Sequence, residues 1–207
     1  MKLKNISVVL ASLLVLSSSL AAQDETAARA AIQKFQDDLN AEYKNPKTSP
    51  LEGKALKKFN GHDFFPVDLT YRVEAQLIVT QAEPFFKLMT SNNQPRDYRQ
   101  YGLINFTLKE KEYSIPVYQS QGLMAQAEYV DYLFFPFTDL TNGVSTYAGG
   151  RYIDLRIPAN STVITLDFNT AYNAFCAYSD KYSCPVVPAK NNLDIEIPVG
   201  IKYKGDH

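Results

Sequence analysis

The chain has 207 residues, a formal net charge of −1, two cysteines and two histidines. Its length predicts one globular domain, and its 45% apolar and 21% charged residues argue against a disordered or fibrous chain. The near-neutral charge predicts no nucleic-acid partner. So few Cys and His residues argue against a zinc cluster or a scaffold of several disulfides, and we expect no cofactor and no metal.

The first 22 residues have the layout of a signal peptide. Lys2 and Lys4 give a positive start, Ile6 to Leu16 is an apolar run, and residues 17–22 are rich in small side chains. The apolar run is shorter than the roughly 20 residues that span a membrane. We therefore predict export, no membrane span, and a mature protein that is periplasmic or extracellular.

A helix is predicted next, from Asp24 to about Tyr43. Apolar residues recur there at spacings of three and four and form one stripe, which consists of Ala28, Ile32, Phe35, Leu39 and Tyr43. Asn45-Pro46 ends the helix. A polar connector follows, and we expect three apolar residues to attach it to the body of the protein: Leu51, Leu56 and Phe59.

After the connector the hydrophobic period changes from 3.6 to 2, which predicts strands with one buried face. Alternating or short apolar runs occur at 71–79, 104–108, 113–117, 153–157, 164–168 and 193–203, and the segments 132–137 and 146–157 are predicted as strands on either side of a turn. About eight such strands, with no amphipathic helices between them, predict a mainly β protein (α+β overall), an antiparallel barrel or sandwich preceded by one N-terminal helix. Asn142-Gly143 predicts a tight turn. We divide the chain into a signal peptide (1–22), a helix with connector (23–60) and a β-rich domain (61–207).

The aromatic-rich segment 129–172 carries the first candidate site. Gly149-Gly150 precedes Arg151, which falls on the apolar face of its strand unless a bulge at the glycines shifts the register. Because a guanidinium cannot be buried alone, Arg151 either binds an anionic ligand or is paired internally with an aspartate. The three candidate aspartates are Asp139, Asp154 and Asp167.

A second polar cluster begins where the run 164–168 ends, and it contains Asp167, Asn169, Tyr172 and Asn173. Polar residues at strand ends often form sites, although turn and capping roles are the alternative for Asp and Asn. Cys176 and Cys184 follow. In an oxidising compartment we expect a disulfide between them, and a reactive thiol or redox pair is the alternative.

Familiar catalytic signatures are missing: the sequence has no nucleophile elbow, phosphate-binding loop, HExxH motif or dinucleotide-binding glycine pattern. His62, between Gly61 and Asp63, is interpreted as a surface or turn residue.

Several short motifs occur in one order along the chain: Phe85–Ser91, Tyr101-Gly102, Val117–Gln119, Leu133–Asp139, Tyr147–Leu155, Asp167–Asn169, Ala171–Asn173, Cys176–Tyr178 and Cys184-Pro185. Together they resemble the bacterial domain of unknown function 1684 family, from about residue 59 to 203. The family is uncharacterised, so the resemblance implies no substrate, cofactor or catalytic set. It supports a site formed by Arg151, Asp154, Asp167, Asn169, Tyr172, Asn173 and Cys176.

We therefore expect an exported protein, monomeric or weakly self-associating, that binds a small polar or anionic ligand through Arg151. Tyr132, Phe135 and Tyr152 would form aromatic walls. The other candidate ligand-binding residues are Asp139, Asp154, Asp167, Asn169, Tyr172 and Asn173. Two alternatives stay open: a hydrolase that uses an aspartate as base with Arg151 and Tyr172 as stabilisers, and a non-catalytic envelope interaction module.

Overall fold

The computed structural model describes residues 5–80 and 83–204, with side chains from residue 22 onward within those ranges. Three α-helices are present in them: α1 (Asn5–Lys44), α2 (Gly53–Lys58) and α3 (Gln121–Met124). The same ranges contain seven strands, namely β1 (Arg72–Val79), β2 (Phe86–Leu88), β3 (Arg96–Leu108), β4 (Lys111–Ser120), β5 (Tyr132–Phe137), β6 (Arg151–Arg156) and β7 (Val163–Asp167).

Helix α1 begins earlier than predicted and joins the segment assigned to the signal peptide to the amphipathic helix. The reason is local: residues 5–44 contain no Gly or Pro that would end a helix. The predicted stripe is confirmed, because Ala28, Ile32, Leu39 and Tyr43 are buried. Within the described part of the chain, no helix combines the length and the apolarity needed to cross a membrane.

The strands form one antiparallel sheet in the order β6-β5-β4-β3-β1-β7, and β2 pairs with the start of β3. The sheet curls into a nearly closed barrel, which confirms the predicted antiparallel β-barrel, with seven strands in place of about eight. Its interior is filled by aliphatic and aromatic side chains, among them Phe135, Phe137 and Phe168, whose rings pack together.

The predicted last strand, residues 193–203, is not a strand. Its apolar alternation is real, since Leu193, Ile197, Val199 and Ile201 are buried and close the open side of the barrel. Its backbone, however, finds no single partner strand. The carbonyls of Ile197 and Val199 accept hydrogen bonds from a buried arginine side chain, and Ile201 donates to a loop carbonyl. The alternation of apolar residues indicates which side chains are buried. To form a strand, the backbone also needs a neighbouring strand to hydrogen-bond with along its length.

The predicted tight turn at Asn142-Gly143 lies inside a longer loop, because β5 ends at Phe137 and β6 starts at Arg151. The paired glycines at 149–150 allow a close backbone approach, as expected. Gly150 has φ +89°, and a Cβ there would lie 2.6 Å from the carbonyl oxygen of Phe137. The β5–β6 register runs without interruption, so no bulge shifts it.

Candidate functional site

Arg151 lies inside the barrel with its side chain fully buried. One guanidinium nitrogen donates to Oδ2 of Asp139 at 2.7 Å and to the carbonyl of Ile197 at 2.8 Å, and the other donates to the carbonyl of Val199. The guanidinium also lies 5.2 Å from the ring centre of Phe137. Of the two alternatives for Arg151, an internal partner or an anionic ligand, the structure shows the internal partner. The guanidinium is hydrogen-bonded to groups of the protein itself.

The opposite oxygen of Asp139 completes this buried network. Oδ1 accepts from the backbone N–H groups of Thr141 at 2.8 Å and Ile197 at 3.3 Å, and from the Thr141 hydroxyl. Both Asp139 and Arg151 thus hold the segment that closes the barrel. Their contacts stabilise the fold and leave no face open to a ligand.

Asp167 and Asn169 form a separate capping arrangement. Asp167 Oδ1 accepts from the backbone N–H of Asn169 at 2.9 Å and from its side-chain amide at 2.8 Å. Asn169 in turn exchanges hydrogen bonds with the backbone of Asp68 at 3.0 and 2.9 Å. Asn173 is buried and donates to the hydroxyl of Tyr178 at 2.8 Å. These geometries match the local turn and capping roles.

Asp154 has a different setting, because it points outward from β6. Its Oδ1 accepts a hydrogen bond from the hydroxyl of Tyr132 at 2.7 Å and another from Tyr172 at 2.6 Å. The β5–β6 pairing brings Tyr132 alongside, and a backbone bridge between Tyr152 and Tyr172 brings in the second ring. Of the predicted residues, Asp154, Tyr132 and Tyr172 are therefore brought together.

This carboxylate lies in a cavity of about 280 Å³ between α1 and the barrel. Helix α1 supplies one face of the cavity with Phe35, Asp38, Leu39 and Glu42, and the domain supplies Asp154, Tyr172 and Phe175. The helix residues follow the i, i+3, i+4, i+7 spacing of a single helical face. The cavity contains neither Arg151 nor Asp167 among its lining residues, so the three residues predicted to share a site do not share one.

The residues that line the cavity give it a negative charge, since three of them are acidic and none is basic. Burial raises the pKa of Asp154, against the opposing hydrogen bonds of Tyr172 and Tyr132 and the charge of Arg156. Burial and the charge of Asp154 raise the pKa of Glu42. The same surroundings raise the pKa of both tyrosines, so their hydroxyls remain donors at neutral pH. A pair of carboxyls with raised pKa values in one cleft is a candidate site with a physical basis.

The residues from α1 were not predicted to belong to a site. Phe35 and Leu39 belong to the apolar stripe and look like core, and Asp38 and Glu42 look like a solvated helix face. Asp38 does pair with Lys34 at 2.6 Å in solvent. The only signal in the sequence was that two acidic residues flank this end of the stripe.

Removing either tyrosine hydroxyl should make the Asp154 carboxyl easier to protonate. We expect Tyr172→Phe and Tyr132→Phe each to raise the pKa of Asp154 by about one unit, because a hydrogen bond to a charged group contributes about 1.5 kcal/mol. Carboxyl ¹³C chemical shifts followed through a pH titration measure it. An unchanged pKa in both variants would contradict the geometry.

Two further predictions need correction. The predicted disulfide is not formed: Cys176 and Cys184 are free thiols, and the backbone N–H of Cys176 donates to the sulfur of Cys184 at 3.3 Å. His62 is half-buried and not a surface residue. Four aromatic rings surround it, those of Tyr43, Phe59, Phe64 and Tyr178, at centroid distances of 4.3, 4.9, 6.1 and 5.6 Å. Two of these rings flank His62 in its own segment, and Tyr43 and Tyr178 come from elsewhere in the chain.

The described residues hold no group of three or more His, Cys, Asp or Glu side chains arranged to bind a metal ion. A search of the curated proteins finds no match.

The chain is similar to a protein solved by solution NMR, the uncharacterised product of gene locus rrnAC0354 of Haloarcula marismortui. The two share 31% sequence identity with a TM-score of 0.70, and the similarity covers 89% of this chain and 99% of that one. A family model described as a protein of unknown function, DUF1684, matches residues 57–202. That match covers well over half of the sequence, so this chain belongs to the DUF1684 family.

Proposed function

We propose that this protein binds a small organic cation, an amine with an apolar body, in the cavity between α1 and β6. The observation that carries the proposal is the Asp154 carboxylate, which is held by two tyrosine hydroxyls in a cleft whose opposite wall presents Glu42. This refines the expected small polar ligand and departs from the expected anionic one, because Arg151 is already occupied.

Charge favours this class of ligand. The charge of Asp154 disfavours the ionised form of Glu42, and both carboxyls are partly desolvated. An ammonium group between them would replace that repulsion with two charge-assisted hydrogen bonds, which are among the stronger contacts available to a ligand.

The walls favour an apolar body on the ligand. Phe35, Leu39 and Phe175 line the cavity together with the ring of Tyr172. Aromatic faces attract cations, and an aliphatic or aromatic stem would bury apolar surface against the same rings. The volume is at the small end of ligand cavities, which points to a compact molecule.

Isothermal titration calorimetry with three matched probes tests the proposal. We expect 2-phenylethylamine to bind, 2-phenylethanol to bind about tenfold more weakly because it cannot form the ion pair, and phenylacetate not to bind. Tighter binding of phenylacetate than of the amine would contradict the cationic ligand. No binding by any compact amine would favour the interaction module.

The variant Asp154→Asn keeps the hydrogen-bond acceptor and removes the charge. It should weaken amine binding by about tenfold or more. Asp97→Asn is the matched control, since Asp97 pairs with Lys87 at 2.8 Å and does not line the cavity. Binding should also weaken as the pH falls through the raised pKa values of Asp154 and Glu42, because protons then compete with the ligand. Equal affinity in both variants would place the ligand elsewhere.

The hydrolase alternative is not carried forward. It needs Arg151 and Tyr172 to stabilise the same substrate, and the guanidinium is turned into the barrel core, away from the cavity that Tyr172 lines. We retain export as part of the proposal, on the strength of the positive start and short apolar run of residues 1–22. The test is to measure the intact mass of the protein recovered from the envelope fraction of expressing cells. A chain that begins near Gln23 supports export, and an uncleaved chain found in the cytoplasm contradicts it.

A further inference from the structure

His62 lies at the contact that holds α1 against the domain. Its imidazole ring contacts Tyr43 of α1 and Tyr178 of the domain, at centroid distances of 4.3 and 5.6 Å. Its backbone N–H donates to the side-chain oxygen of Asn40, which also lies in α1, at 2.7 Å. His62 therefore connects the helix to the rest of the protein through both its backbone and its ring.

The same contact continues into the cavity between α1 and β6. Tyr43 belongs to a buried apolar cluster with Leu39, Leu51 and Ile201. Four residues that line the cavity belong to this cluster or pack against it, namely Phe35, Leu39, Tyr172 and Phe175. Glu42, which also lines the cavity, directly precedes Tyr43. A movement of this end of α1 away from the domain would therefore open the cavity.

The ring of His62 has no acceptor for a second proton. Its Nε2 atom is buried and has no hydrogen-bond partner among the described residues. In the protonated ring both nitrogens carry a hydrogen, so Nε2 would be a buried charged donor without an acceptor. Aromatic rings attract cations, but this attraction is weaker than the hydration that burial removes. The protonated ring is therefore better accommodated in water than in this contact.

The described groups that contact the imidazole are uncharged. The titratable ones are Tyr43 and Tyr178, and because burial raises the pKa of both hydroxyls, they stay neutral. Two phenylalanines make the other ring contacts. The adjacent carboxylate, Asp63, is paired with Lys202 and Lys204 at 3.3 and 3.2 Å. In agreement with these contacts, burial lowers the pKa of the imidazole from 6.5 to about 4.

We propose that protonation of His62 releases residues 35–44 of α1 from the domain, which opens the cavity between α1 and β6 and speeds the exchange of its ligand in acid. The release of the helix stands on the contacts of His62. Its consequence for a ligand rests on the proposed function. At neutral pH the imidazole is uncharged and the helix stays in place.

Amide hydrogen exchange of the protein without ligand, at pH 7 and pH 5, tests the release. The released helix takes up the proton with the ordinary histidine pKa of 6.5, and the docked helix with a pKa of about 4. The opening constant of residues 35–43 should therefore rise about twentyfold from pH 7 to pH 5, after correction for intrinsic exchange rates. Amides of β3 and β4 should stay much better protected at both pH values. If the α1 amides were as well protected as those strands, the helix would open only with the whole protein, and the proposal would be overturned.

Two variants assign the effect to His62. His62→Phe keeps a ring in the contact and cannot be protonated, so the rise between pH 7 and pH 5 should vanish. Asn40→Ala removes the acceptor for the backbone N–H of His62, so α1 should open more at both pH values with the wild-type rise between them. Thermal unfolding at pH 7 checks that each variant folds. A wild-type rise in His62→Phe, or its loss in Asn40→Ala, would refute the assignment.

The dissociation rate of 2-phenylethylamine, taken from NMR line shapes at pH 7 and pH 5, tests the consequence for the ligand. Protonation of the cavity carboxyls acts on the wild type and on His62→Phe alike, so the ratio of their rates isolates His62. At pH 5 the wild type should release the amine up to about twentyfold faster than the variant. Equal rates would contradict control of the cavity by His62. If the amine does not bind at pH 7, the proposed function fails, and amide exchange still decides whether acid releases α1.

Discussion

Replacing Arg151 with leucine is expected to lower the free energy of unfolding by about 3–5 kcal/mol, the usual cost of breaking a buried ion pair from one side. The change leaves Asp139 charged and buried without its partner. It also frees the carbonyls of Ile197 and Val199, which accept from the guanidinium in place of a neighbouring strand. The segment that closes the barrel should therefore loosen first. Urea unfolding monitored by circular dichroism measures the change.

Two companion variants separate charge from packing. Arg156→Leu breaks an exposed ion pair with Asp131 (2.7 Å) and should cost under about 1 kcal/mol. The double variant Arg151→Leu with Asp139→Asn removes both charges and should cost less than the sum of the single changes, because no charge is left unpaired. If Arg151→Leu were as mild as Arg156→Leu, the guanidinium would not be structural, and its role as a ligand-binding group would reopen.

Acidification is expected to remove up to about 3 kcal/mol of stability through His62 alone. Burial among aromatic rings lowers the pKa of His62 from 6.5 to about 4. Because the folded-state pKa lies below the unfolded one, the unfolded chain binds the proton first. The stability is therefore complete above pH 6.5 and is lost as the pH falls from about 6.5 towards 4. A shift of about 2.5 units corresponds to the stated free energy.

The variant His62→Phe isolates this contribution, since phenylalanine keeps the ring contacts with Tyr43 and Tyr178 and cannot be protonated. Free energies of unfolding measured from pH 7 to pH 4.5 should fall more steeply in the wild type than in the variant. If the two curves ran parallel, protonation of His62 would not account for the loss of stability in acid. Since Tyr43 lies in α1, acid should also loosen the contact between α1 and the domain.

Much of the fold could be predicted from the residues. The period-2 alternation located β1, β7 and parts of β3 and β6, the turn signal at Asn142-Gly143 placed β5 before it, and the stripe in α1 is confirmed. The placement of Arg151 on the interior face followed from its parity with Ile153 and Leu155, and the cost of burying a lone charge required either an internal partner or a bound anion. That partner, Asp139, was among those considered.

The ligand cavity could not be predicted, for a physical reason. Its two walls come from residues 35–42 and 154–175, which are more than 110 positions apart, and periodicity reports only which face of an element is buried. Nothing in the sequence around Phe35 and Glu42 shows that they line a cavity and do not belong to the core or to the solvated surface. For the same reason His62 is interpreted from the sequence as exposed, because two of the rings that bury it, those of Tyr43 and Tyr178, lie in distant segments.

The central claim is that the cavity between α1 and β6, and not the Arg151 network, receives the ligand. Backbone amide chemical shifts of ¹⁵N-labelled protein, titrated with 2-phenylethylamine to saturation, test it most directly. We predict that the largest changes fall at residues 35–42, 154 and 172–175, and that Arg151 and Asp139 remain unchanged. Changes centred on Arg151, Asp139 and Ile197 would contradict the account.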